Sequence, residues 1–296
     1  VRTFKLIFLY IFAVAFIGAV ISPLVYNFVQ ALSIDNNLVY WLQEQDFSRY
    51  FRRTIMVSAL ILMIPFLAKL GVNWTDIGLS AEYGRGRRFF GGILLGMASI
   101  LCLGAVYYFT GARHFRADPN WSYLIRFVFT AIIVAGLEEI FFRGIILSRL
   151  RKTFAFWPAL VSGSLFFAAV HFLKPSADFG SVEVEWYSGF MLIPESFRAF
   201  ADPTAIIYQF SALLLAGLIL GYAFLKKKSL YFSIGLHAGW VFMLKTMGLL
   251  TDNSKALDPR LYGNGLYDGL YGLIMLVILL TGLIIYESRQ KSPADY

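Results

Sequence analysis

Charge is scarce in this sequence. Asp, Glu, Lys and Arg make up 15% of the 296 residues, against about 25% in a soluble domain. There is one cysteine, Cys102, so an intrachain disulfide is excluded. It lies in an apolar run and reads as a small packing residue. Histidine occurs three times, at 114, 171 and 237. No Gly/Ser-rich or Pro-rich linker interrupts the chain, and neither a soluble domain nor an internal repeat is evident. A single membrane domain over 1–296 is therefore expected.

Apolar residues are abundant. They make up 58% of the chain, with 29 Phe and 17 Tyr, and the mean hydropathy is +0.67. These values describe an integral membrane protein. The net charge of +8 does not call for nucleic acid, because basic residues mark the cytoplasmic ends of membrane spans. The partner this composition implies is the lipid bilayer.

A spanning helix needs about 20 mainly apolar residues. Eight stretches qualify, near 5–29, 53–71, 89–110, 122–147, 154–173, 204–225, 229–248 and 268–286. The expected fold is an all-α polytopic bundle of about eight transmembrane helices. The first run is too long for a signal-peptide core and is read as a retained helix. Lys and Arg cluster at 85–88, 149–152 and 226–228, which favours cytoplasmic N- and C-termini. Arg49, Arg52 and Arg53 argue the other way. Residues 174–203 form the longest connection, expected to be an ordinary outside loop, with a surface-lying segment or lid as the alternative.

Against this apolar background, Leu137-Glu-Glu-Ile-Phe-Phe-Arg-Gly144 places three ionisable side chains inside a span. Such residues mark functional sites by default. On a helix, Glu139 and Arg143 share a face and can pair. Glu138 points about 100° away and is left to face the bundle centre as a candidate general base. His171 and His237 also fall in apolar stretches, among small residues that let helices approach closely, including Gly235 and Gly239. The fourth, fifth and seventh spans are therefore expected to pack together. Glu138 and His237 match in depth, at roughly 12–14 Å from the inner end. His171 lies deeper, at about 20–25 Å, so its convergence needs helix tilt or a connection that dips into the membrane.

In this order, Glu138-Glu139-x-x-x-Arg143, Phe167-x-x-x-His171 and His237 resemble the CPBP intramembrane proteases. That family holds type II CAAX prenyl endopeptidases and bacterial proteins linked to bacteriocin self-immunity. The resemblance covers about 120–245, a protease-like core. It implies an endopeptidase acting on a peptide or protein substrate at the membrane, without a cofactor. By that resemblance Glu138 and His171 activate a water. Glu139 and Arg143 support the motif helix, and His237 stabilises the oxyanion together with an Asn or Asp one turn later. That later position is Val241, which offers no donor. Gln209 is the best polar substitute, ahead of Ser211 and Tyr208. Other readings stay open. A His₂Glu zinc site is one, although no His-Glu-x-x-His occurs. A structural polar knot, a proton-coupled transporter and a non-catalytic membrane binding or immunity protein are the others.

Overall fold

In the computed structural model, described residues are 2–71, 73–80, 83–175, 183–253, 258–263 and 265–289. Residues 176–182 of the 174–203 connection lie outside them. The chain runs α1 (Arg2–Gln30), α2 (Asn37–Gln43), α3 (Phe47–Leu70), α4 (Arg85–Phe109), β1 (Arg113–Phe115) and α5 (Tyr123–Glu139). A π-helical segment, Ile140–Leu147, follows, then α6 (Ser148–Thr153), α7 (Phe156–Val170), α8 (Ser188–Glu195) and α9 (Pro203–Lys227). The chain ends with α10 (Tyr231–Leu250), β2 (Thr251–Asn253), α11 (Pro259–Tyr262) and α12 (Leu270–Arg289). The fold is an all-α polytopic bundle. Its described strands are three residues each and pair antiparallel, Arg113 with Asn253.

Six helices are long and apolar enough to cross a membrane among the described residues: α1, α3, α4, α9, α10 and α12. The chain is an integral membrane protein. The expected fourth and fifth spans take a different form. Over 122–147 the helix switches after Glu139 from α to π hydrogen bonding, and α7 has 15 residues.

Two compact units partition the chain. The first holds residues 1–72 and 170–206. Here α1 packs along α3. The Tyr10 hydroxyl donates to the Ala59 carbonyl at 2.8 Å, and the Thr54 hydroxyl donates to Gly18 at 3.3 Å. The 174–203 connection departs from the loop expected. Part of it is α8, which seats Gly189 against the Ala19 backbone, where a Cβ would collide. Leu192 is fully buried beside it.

The second unit holds 73–169 and 207–296 and is centred on α10, the most buried of the six long helices. Gly92 and Gly96 of α4 face Gly235 and Gly239 of α10 backbone to backbone, and a Cβ at any of the four would strike the opposite main chain. Small residues four apart permit this approach. The Trp240 indole then donates to Ser99 Oγ at 3.0 Å. Ser233 Oγ donates to Leu220 O at 3.1 Å, tying α10 to α9. Replacing Gly235 with leucine is therefore expected to cost at least the upper end of the roughly 1–3 kcal/mol typical of overpacking, because the atoms struck are backbone. Gly282→Leu is the control, since its added atoms meet open space. Thermal unfolding in detergent micelles should separate the two variants, with Gly235→Leu melting lower.

Candidate active site

Glu138 and Glu139 end α5, and the π segment carries Arg143. Single-turn π segments inside α-helices often occur at functional sites. Here the segment continues for eight residues, and five in succession after Phe142 are buried, Arg143 and Gly144 included. Gly144 has a packing reason. Ile77, 2% exposed, lies against it, and a Cβ at 144 would stand 3.0 Å from the Ile77 Cβ.

Arg143 donates from Nη1 to Glu139 Oε1 at 2.7 Å, the pair expected from their spacing. Glu139 is fully buried and Arg143 is 2% exposed. The guanidinium also reaches the Gly217 carbonyl on α9 at 3.5 Å. It lies 4.2 Å from the Phe167 ring centroid, within cation–π range. Gly217 lets α9 pack closely on α7, since a Cβ there would press on Ser164. Phe167, noted in the sequence only as a motif position, thus covers the buried cation. Its ring also meets His237 edge to face at 6.3 Å.

His237 of α10 is 8% exposed. Its Nδ1 lies 2.9 Å from Glu139 Oε1, and its Nε2 lies 3.9 Å from Glu138 Oε2. One imidazole therefore stands between the two glutamates. A carboxylate oxygen only accepts, so Nδ1 carries the hydrogen and Nε2 is aimed towards Glu138. Glu139 has two partners on one oxygen and orients the ring. The sequence reading paired Glu139 with Arg143 alone. The contact with His237 spans 98 positions and depends on how α5 meets α10, which no local pattern records.

Glu138, Glu139, Arg143 and His237 all lie in the second unit. His171 lies one residue beyond α7, in a turn assigned to the first unit. Val241 packs against the apolar cluster that includes Ala131, Ala135 and Ala238. Gln209 hydrogen-bonds the Tyr267 side chain. Burial raises the Tyr267 hydroxyl above its ordinary pKa, and the Gln209 bond partly offsets this. Among the described residues, no group of three His, Cys, Asp or Glu side chains is placed to hold a metal ion.

No curated protein matches the chain, and no solved structure does. Residues 120–243, which contain Glu138, Glu139, Arg143, Phe167, His171, Gln209, His237 and Val241, match a family model described as type II CAAX prenyl endopeptidase Rce1-like, and over this stretch the chain is similar to that family.

Proposed function

We propose that this protein is an intramembrane endopeptidase that hydrolyses a peptide bond of a membrane-associated protein or peptide with a water activated by Glu138. The observation that carries this reading is the buried imidazole flanked by two carboxylates, 2.9 Å from one and 3.9 Å from the other. The longer gap exceeds a direct hydrogen bond, and such a gap suits a bridging water. Glu138, 29% exposed at its side chain, takes the proton of that water as it attacks the scissile carbonyl. The protonated carboxyl then gives the proton to the leaving amine, and the C–N bond breaks. Family resemblance, rather than geometry, assigns His171 to positioning the water.

His237 serves the oxyanion. With its Nδ1 held by Glu139, its Nε2 faces the space beside Glu138. Glu139 and Arg143 are positioning residues. We place the chain in a bacterial membrane with both termini cytoplasmic, from the basic clusters and the resemblance.

Val241 favours a second reading, a non-catalytic binding or immunity protein on the same scaffold. It contributes no donor where the family has Asn or Asp, and Gln209, the best substitute in sequence, is engaged by Tyr267. Losing one oxyanion donor costs about 100–1,000-fold in rate. One experiment separates the readings. Purified protein is incubated with membrane-tail peptides, with and without a chelator, beside Val241→Asn. The protease reading expects cleavage that survives chelation and rises in Val241→Asn. Absence of cleavage in both proteins supports the binding reading, and loss on chelation supports zinc.

A further inference from the structure

Between α4, α5 and α10, the second unit contains an apolar cavity of about 170 Å³. Ile93 and Met97 line it from α4, Ala131 from α5, and Ala238 and Phe242 from α10. Val128 and Ile132 complete the lining and are 38% and 45% exposed, so the opening faces the bilayer side of the helices. It is an open cleft with an entirely apolar lining, a surface suited to a hydrocarbon chain. The cleft exists because α4 and α10 close up on glycines, whereas α5 offers alanine where a larger side chain would fill the gap.

A cation lies along the same stripe. Lys245 follows Ala238 and Phe242 by seven and three positions, about 10 Å along α10 from Ala238. Its Nζ sits 5.7 Å from the Phe127 ring centroid, and Phe127 is one turn before Ala131 on α5. Lys245 is exposed, and no ion pair to an acidic side chain is found for it among the described residues. A lysine near the end of a spanning helix directs its charge to the headgroup layer.

We propose that this cleft binds one anionic phospholipid, with a hydrocarbon chain in the cavity and the headgroup phosphate on Lys245. The site does not depend on the proposed reaction. It wedges α5 against α10, the helices that carry the two glutamates and His237. Native mass spectrometry of the full chain in detergent tests it, with added phosphatidylglycerol or phosphatidylcholine of matched chains. Wild-type protein is expected to retain phosphatidylglycerol about fivefold better, the effect of one lysine at an anionic surface. Lys245→Gln should abolish that preference. Val128→Trp and Ile132→Trp, at the exposed rim and outside the packed core, should lower retention of both lipids. Equal retention of the two lipids by the wild type, or rim variants that bind as the wild type does, would overturn the proposal.

Discussion

Glu138→Gln is expected to lower peptide hydrolysis by about 100–10,000-fold, the range a positioned general base contributes, while the protein still folds. Glutamine keeps the shape of the side chain and removes the carboxylate proposed to accept the proton of water. Because glutamine is isosteric and 29% of the Glu138 side chain is accessible, the variant should still unfold in a single cooperative transition. Glu139→Gln should differ in kind. It removes the negative charge from the oxygen that Arg143 and His237 share and leaves the buried guanidinium unpaired, so activity and stability should fall together. Initial rates and thermal melting, measured on both variants, check the distinction. If the two variants behave alike in both measurements, the division of roles between the glutamates is wrong.

The second large effect concerns Arg143. Arg143→Leu should destabilise the protein by about 3–5 kcal/mol, the cost of leaving a buried charge without its partner. Glu139 would keep its hydrogen bond to His237 but lose the guanidinium 2.7 Å away. Arg143→Lys should recover little. A lysine lacks the planar fork that here meets Glu139 and Gly217 while stacking on Phe167. The double variant Glu139→Gln, Arg143→Leu should be more stable than Arg143→Leu alone, because no unpaired charge remains. Denaturant unfolding in micelles, arranged as a double-mutant cycle, reads this directly. A double variant that loses the sum of the two single losses would show that the pair is not coupled.

The long spans were legible because hydrocarbon depth demands sustained apolar runs, and α1, α3, α4, α9, α10 and α12 all show one. The Glu139–Arg143 pair was legible because helical spacing alone brings the two together. Other features had no local signature. Nothing in Ile140–Leu147 announces π hydrogen bonding, so a plain α-helix was the natural expectation there. Helix α8 is eight residues long within an aromatic-rich connection, too short for periodicity to reveal. Two glycine pairs, Gly92 with Gly96 and Gly235 with Gly239, were visible in the sequence, but their mutual contact was not. Helix α4 lies outside the stretch that carries the family resemblance, yet it packs backbone to backbone on the helix that carries His237. The same limit hid the Glu139–His237 contact, which arises from tertiary packing of α5 on α10.

The proposed role of Glu138 is to activate water for peptide hydrolysis at a site organised by His237 and Glu139. Its most direct test is mass-spectrometric mapping of products after purified wild-type and Glu138→Gln proteins, in matched detergent or nanodiscs, meet the same library of membrane-tail peptides. The expected result is a discrete cleaved bond with the wild type and loss of that product with Glu138→Gln, which still unfolds cooperatively. Cleavage at the wild-type rate by a folded Glu138→Gln protein would contradict it.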